Sequence, residues 1–307
     1  MTRTMQYQPS GILIVDKPAD MTSAKVVSRV KQSLKAKKVG HAGTLDPFAT
    51  GVLVCLINRA TRIARFFLQG NKKYKAVLCL GIETDTQDAT GRVISRCDEI
   101  TVSERSLRTA FKMIEGENQQ VPPVFSALKQ NGIPLYKLAR SGKPVQKPAR
   151  RIFISSVRML EINLPIIRFE VSCTSGTYIR TLCADIGRTL GCGGHLKELR
   201  RLESSGFTLQ KAVTVTELEK LALSGKLSEK IIGMSKALED FPEIVADHTL
   251  AKKILHGQTI TRADFCSGQI DRRRPGDFIK IVDKKDHLLA IINEQRDNCV
   301  YKYCCVL

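Results

Sequence analysis

The sequence predicts a mixed fold, with helices and strands interleaved through one large unit and a small β unit behind it. Three observations carry this. A length of 307 residues, at roughly 100–200 residues per domain, fits one large domain with a small companion. An apolar content of 43% supplies a sizeable core and excludes a disordered basic tail protein. Helix-period stripes alternate with period-2 runs as far as residue 223, whereas the last sixty or so residues carry mainly strand patterns.

In chain order, residues 1–8 are polar and expected to be loose. Ile12–Val15 is a short buried strand ending at Lys17-Pro18. Thr22 or Ser23 caps a helix with Val26, Val27, Val30 and Leu34 on one face. A loop from Gly40 to Gly51, rich in glycine and carrying Pro47, leads into the apolar run Val52–Ile57 and a short basic helix around Thr61–Leu68. Lys73–Leu80 is a strand, and Ser103 starts a helix that Gly116 stops. Residues 121–151 hold five prolines and no acid, the pattern of a long basic excursion rather than core. Ile152–Ile162 and Ile166–Cys173 alternate as paired strands, Tyr178–Leu190 is a helix, and a strand follows around Leu196–Leu202. After a helix at Thr216–Leu223, residues 225–247 read as a linker. A helix turn at Lys252–His256 and strands at 278–282, 288–293 and 300–306 complete the chain.

The formal charge is +19, and it is localised. Residues 1–80 carry 14 Lys/Arg against 3 Asp/Glu, and residues 121–160 carry 8 basic residues with no acid. The rest of the chain nearly cancels. A clustered basic excess on a globular protein marks a polyanion partner, most often nucleic acid; the plainer reading is a solubilising surface. The absence of Trp and an aromatic content of 6% argue against a surface built mainly for base stacking.

Ten cysteines contain no C-x-x-C pair, and five scattered histidines give no zinc spacing. The cysteines read as small buried hydrophobes of a reducing, cytoplasmic compartment. No apolar segment reads as a signal core or a membrane span. Cys304-Cys305-Val306-Leu307 matches a prenylation box, but Val300–Leu307 alternates like a closing strand, which is the better reading.

Two segments stand out chemically. In GHAGTLDPFATGVL, Gly40 to Leu53, Pro47 holds Asp46 out of the helical region on a stiff turn. A carboxylate so placed suits catalysis, and equally suits an Asx-turn. His41 reads as a loop residue, a phosphate contact or part of a site. In SGTYIR, Ser175 to Arg180, the arginine could pair with a buried carboxylate, bind phosphate or lie on the surface. The acids Glu83, Asp85 and Asp88 could in principle hold Mg²⁺, but they sit in turn chemistry with no second carboxylate cluster nearby in sequence.

Taken together and in order, these segments resemble a known family. GILIVDKPADMTS, GHAGTLDPFATGVL, KKYKAVLCLGIETDTQDATG, VPPVFSALKQNGIPLYKLAR, SGTYIRTLCADIG and GGHLKELRR are similar to the bacterial tRNA pseudouridine-55 synthases of the TruB type. The likeness runs from about Gly11 to Phe207 and is loose after 245. It implies an α+β catalytic domain on a central, mainly antiparallel sheet (9–235), with 121–151 as a tRNA-clamping insertion. It also implies a C-terminal unit (245–307) similar to the PUA RNA-binding β domain, though shorter. The reaction implied is isomerisation of the T-loop uridine at tRNA position 55 to pseudouridine, with neither cofactor nor metal. By the resemblance Asp46 is the catalytic carboxylate and Arg180 its ion-pair partner. Tyr74 stacks on the flipped base, His41 props the T-loop open, Leu199 and Tyr178 line the pocket, and Asp88 is a supporting acid. The insertion separates this chain from archaeal and eukaryotic relatives that work in guide-RNA particles. The partner implied is therefore the tRNA T-arm alone, without guide RNA or membrane, and a monomer is the default. The departures are small: Ala42 lies where Thr is common, and cysteines replace some core aliphatics. Two competitors are a non-catalytic RNA-binding protein with the same basic surface and a metal-dependent nuclease using Glu83, Asp85 and Asp88.

Overall fold

The computed structural model describes residues 9–265, 278–294 and 300–307. The first strand, β1 (Gly11–Lys17), is buried along nearly its whole length. The helix α1 (Ser23–Ser33) starts where the Thr22 hydroxyl accepts from the Lys25 amide at 3.1 Å. A three-residue strand, β2 (Val39–His41), precedes β3 (Thr50–Ile57), so the expected Gly40–Gly51 loop narrows to residues 42–49. A 3₁₀ turn at Asn58–Ile63 runs into α2 (Ala64–Leu68), followed by β4 (Lys72–Leu80). A small hairpin of β5 (Ile82–Thr84) and β6 (Val93–Arg96) holds the acids read as turn chemistry.

Next come α3 (Glu104–Met113), capped by Ser103, and β7 (Gly116–Gln120). The basic segment is more ordered than an excursion: it forms β8 (Lys129–Gln130), β9 (Ile133–Pro134) and α4 (Leu135–Arg140). Its base is anchored by the buried Pro122, Pro123 and Leu135, while Lys129, Lys137, Arg140 and Lys143 face solvent. The paired strands are β10 (Arg150–Asn163) and β11 (Ile166–Cys173), then α5 (Ile179–Thr189) and β12 (Gly194–Ser204). After β13 (Phe207–Thr208) and β14 (Val213–Thr214), α6 (Val215–Leu223) starts with a reciprocal Thr214–Glu217 capping box. The expected linker ends in a strand, β15 (Glu243–Val245). The expected helix turn is a full helix, α7 (His248–Leu255), capped by Asp247. Then follow β16 (Ile260–Thr261), β17 (Phe278–Val282), β18 (Leu288–Glu294) and β19 (Val300–Val306).

The large sheet runs β14-β1-β3-β12-β4-β11-β10-β7, with β2 on β3 and β13 on β12. Only β1–β14 and β3–β12 pair in parallel; this is the expected mainly antiparallel α+β sheet. The uninterrupted apolar run of β1 follows from having both faces covered. Leu13 and Val15 pack under α1 and α6 with Val26, Val30 and Leu218. Ile12 and Ile14 face the other way, against Phe67 and the Val282, Leu288 and Ile291 side chains of the second sheet. Over the centre of the large sheet, α3 and α5 bury Phe111 edge-on to Phe169, with ring centroids 5.1 Å apart.

The C-terminal unit is a five-stranded sheet, β15-β17-β18-β19-β16. Phe66 of α2 meets Phe278 at 5.0 Å and Phe241 at 5.4 Å. Arg62 and Arg65 donate to the carbonyls of Val306 and Cys304 at 2.8 and 2.9 Å. The cysteines at 304 and 305 thus belong to a closing strand, as read. All eight described cysteines are free, and Cys55, Cys79, Cys173, Cys183 and Cys192 are buried. Among the described residues no helix is long and apolar enough to cross a membrane.

Candidate active site

The loop 42–49 is held from several sides, which fixes the direction of Asp46. Ser23 Oγ accepts from the Leu45 amide at 2.9 Å and donates to the Leu45 carbonyl at 3.1 Å. The Ala49 amide closes a turn on the Asp46 carbonyl at 3.1 Å. Beneath lies Lys17, fully buried at the end of β1, whose Nζ donates to the carbonyls of Pro18, Met21 and Pro47 at 2.9, 2.6 and 2.9 Å. Arg201, 1% exposed, donates to the Val52 carbonyl at 2.7 Å and to the Gly43 carbonyl at 3.1 Å. Gly51 permits this contact between β3 and β12: its φ is +105°, and a Cβ there would fall 2.2 Å from the Arg201 carbonyl oxygen.

Asp46, with 35% of its side chain exposed, faces Arg180 of α5. Arg180 Nε donates to Asp46 Oδ2 at 2.9 Å and Nη2 to Oδ1 at 3.4 Å. The same guanidinium donates to the carbonyls of Thr86 at 2.9 Å and Phe125 at 2.8 Å, and lies 3.6 Å from Asp88 Oδ2. Arg180 is only 3% exposed, so its planar fork is spent on four fixed acceptors, with Asp88 as a second anion alongside. The start of α5 is pinned by Gln120, at the end of β7. Gln120 Oε1 accepts from the Tyr178 amide at 2.7 Å and its Nε2 donates to the Tyr178 carbonyl at 3.0 Å.

Two cavities meet at Asp46. One, of 360 Å³, is lined by Asp46, Tyr74, Tyr178, Arg180 and Leu199 together with Lys72, Arg150 and Arg201. Tyr74 and Arg201 are direct cross-strand partners of β4 and β12, and Leu199 stands two residues from Arg201 on the same face. The other cavity, of 510 Å³, brings His41 and Asp88 to Asp46 and Arg180, with Phe125, Tyr136 and Arg140 of the insertion. His41 and Asp88 line this second cavity and not the first.

Burial sets the electrostatics. It pushes the Lys17 ammonium down to about 8, against the pull of Asp46 and Asp20 upward and with a smaller downward push from Arg201. Burial and Arg201 likewise bring Lys72 to about 8, with a small opposing effect from Cys173. They also lower His41, whose Nδ1 is buried without a hydrogen-bond partner among the described residues. The Tyr74 phenol is raised, chiefly by burial.

Two of the three candidate metal acids, Asp85 and Asp88, take separate partners. Asp85 pairs with Arg92, and Asp88 Oδ1 accepts from Thr86 Oγ1, the Thr90 amide and Thr90 Oγ1. Among the described residues no three His, Cys, Asp or Glu side chains converge to hold a metal ion. Sequence reasoning did not reach Lys17, Lys72, Arg150 or Arg201. For Lys17 the available signal was a cation closing a mostly apolar strand, GILIVDK; the charged sequence of β12, GHLKELRRLES, gave no such signal for Arg201.

Comparison with known proteins matches residues 31–179 to the TruB family pseudouridylate synthase N-terminal domain and residues 180–240 to the tRNA pseudouridylate synthase B C-terminal domain. The tRNA pseudouridine synthase B of Syntrophotalea carbinolica is 44% identical over 85% of this chain and 85% of its own. The chain belongs to the TruB family of pseudouridylate synthases. The relative of the same name from Geobacter sulfurreducens is 42% identical over 83% of this chain and 84% of its own. Among solved structures, one in a Cbf5-Nop10-Gar1 complex matches 96% of this chain and 85% of that chain, with a TM-score of 0.72 and 27% identity. This TruB-family chain therefore shares its overall fold with one chain of that complex and is similar in sequence to the bacterial relatives.

Proposed function

We propose that this protein is a tRNA pseudouridine-55 synthase, converting the T-loop uridine to pseudouridine on free tRNA. Residues 9–235 act as the catalytic unit, with 121–151 clamping the T-arm, and residues 245–307 bind RNA. The protein works in the cytoplasm as a monomer without a guide RNA. The observation that carries the reading is that Asp46 is the single acid among the residues lining the 360 Å³ cavity, and that a buried arginine fixes its direction.

The chemistry asks for little else. The N1–C1′ bond breaks, the base turns, C5 bonds to C1′, the C5 hydrogen leaves to solvent and N1 takes up a proton. Neither C1′ nor the base ring is accessible inside a folded T-loop, so the nucleotide is extruded into the cavity. Tyr74 offers a flat face to the base, as single-stranded recognition favours. Leu199 and Tyr178 wall it in, and Asp46, held by Arg180, meets the reacting ring. Asp88 supports Arg180 from the other side, and His41 takes the adjoining RNA in the second cavity.

The test uses tRNA tritiated at uridine C5. Wild-type protein is expected to release label to water with EDTA present, and Asp46→Asn to bind the tRNA with similar affinity and release none. Label release by Asp46→Asn at the wild-type rate would overturn the assignment.

A further inference from the structure

Arg150 opens β10 at the end of the basic segment and lines the cavity that holds Asp46. The Tyr178 ring lies against its guanidinium, with Cζ 4.8 Å from the centroid. Gly176 is a close neighbour too: a Cβ added there would fall 3.2 Å from Cζ. Tyr178 thus takes up stacking surface of the guanidinium and leaves its in-plane N–H donors. Nε is buried without a hydrogen-bond partner, and no described carboxylate pairs with this arginine.

The other cations of the cavity are committed. Lys72 donates to the carbonyls of Leu68 and Gly70, Arg201 to those of Val52 and Gly43, and Arg180 to Asp46. Four cations thus surround one carboxylate, and among the described residues Arg150 is the one whose guanidinium makes no hydrogen bond or ion pair. A positive cavity with an idle, planar fork calls for an anion with two acceptors in one plane, which in RNA is the phosphodiester. A uracil carbonyl is neutral and would leave the charge uncompensated.

We propose that Arg150 binds the phosphate next to the extruded uridine, holding the flipped nucleotide's backbone so that its sugar stays over Asp46. This rests on the isomerase reading and adds to it a residue for substrate positioning.

The experiment compares Arg150→Gln and Arg150→Lys with wild type, each first checked for an unchanged thermal midpoint. Affinity for unmodified tRNA is measured across a salt series, and C5 tritium release gives kcat and KM. Arg150→Gln is expected to lower the slope of log affinity against log salt by about 0.7, the loss of one single-strand phosphate contact. Its kcat/KM is expected to fall about tenfold, the scale of one charged hydrogen-bonded contact, with part of the loss in kcat because the sugar is no longer held over Asp46. Arg150→Lys is expected to restore the slope, because it keeps the charge. An unchanged slope in Arg150→Gln, an unchanged kcat, or an Arg150→Lys slope as low as that of Gln would each overturn the proposal, the last by assigning Arg150 to packing on Tyr178. Tight tRNA binding by wild type without label release would instead refute the isomerase reading, and the slope comparison would still decide the phosphate contact.

Discussion

Replacing Arg180 by Met tests how much of the fold's stability is bound up in aiming one carboxylate. The substitution keeps an apolar stem and removes every donor. The carbonyls of Thr86 and Phe125 lose their partners at 2.9 and 2.8 Å, at about 1 kcal/mol each. Asp88, with 6% of its side chain exposed, keeps three donors from Thr86 and Thr90 but loses its cation, for roughly 1–2 kcal/mol more. Asp46, 35% exposed, can rehydrate and adds less than about 1 kcal/mol. The total is about 3–5 kcal/mol, a large part of the 5–15 kcal/mol typical of a folded domain. Urea is the denaturant of choice, since guanidinium salt would screen the charges under study. The midpoint should fall with an unchanged m-value, and label release should be lost under conditions where the variant is still folded. A double-mutant cycle with Asp88→Asn should show coupling of about 1–2 kcal/mol. A destabilisation below about 1 kcal/mol, or additivity within about 0.5 kcal/mol, would refute this account of the buried network.

Lys17 is expected to make the reaction pH-dependent. Its three carbonyl acceptors match the three ammonium hydrogens, so losing a proton at about 8 frees one of them and loosens Pro47. Turnover is therefore expected to decline above pH about 8, and a flat profile to pH about 9 would sink the idea. Stability carries the opposite sign. The folded-state value lies below the ordinary 10.5, so the unfolded chain binds more protons between about 8 and 10.5, and the Lys17 contribution to stability rises with pH across that window. Gly51→Ala drives a Cβ into the Arg201 carbonyl oxygen at 2.2 Å with φ at +105°. A loss of more than about 3 kcal/mol is expected by urea melting, and a neutral result would mean that β3 and β12 can separate freely. Phe66→Ala removes the ring between Phe241 and Phe278. It is expected to cost about 2–4 kcal/mol and to split the melt so that the C-terminal sheet unfolds first; a single unshifted transition would contradict the shared core.

The apolar strands β1, β3 and β4 were legible because their residues are apolar for a reason visible in one dimension. Each is covered by other elements, and its side chains alternate between two packed surfaces. The polar strand β7, with sequence GENQQ, carries no such pattern. It is a strand because β10 supplies five residues of pairing, and a sheet edge needs no apolar outer face. The same holds for the insertion, where prolines and lysines signalled a loop while Leu135 and Pro122 quietly anchored it. For the site, local reasoning reached Asp46 on its stiff turn and left its role open. The decisive contact, Arg180 to Asp46, spans 134 residues, and no spacing rule links them. Only the resemblance to a family joined the two segments before the fold did.

The net charge of +19 divides into cations with different work. Lys17, Lys72, Arg180 and Arg201 are all under 7% exposed and spend their donors inside the protein. Lys72, Arg180 and Arg201 line the cavity and set its sign, and Lys17 and Arg180 fix the direction of Asp46. Lys129, Lys137, Arg140 and Lys143 are exposed, so salt screens them and their contribution belongs to encounter and grip. Removing a surface cation should therefore change how binding responds to salt, and removing a buried one should change the chemistry or the fold. Arg150 stands at the boundary between these groups. It packs on Tyr178 beside Gly176, and among the described residues its guanidinium makes no hydrogen bond or ion pair. That combination is what a residue needs to pass the geometry of the fold to the backbone of a flexible substrate, since a mobile lysine could attract the phosphate but could not fix where the sugar lies.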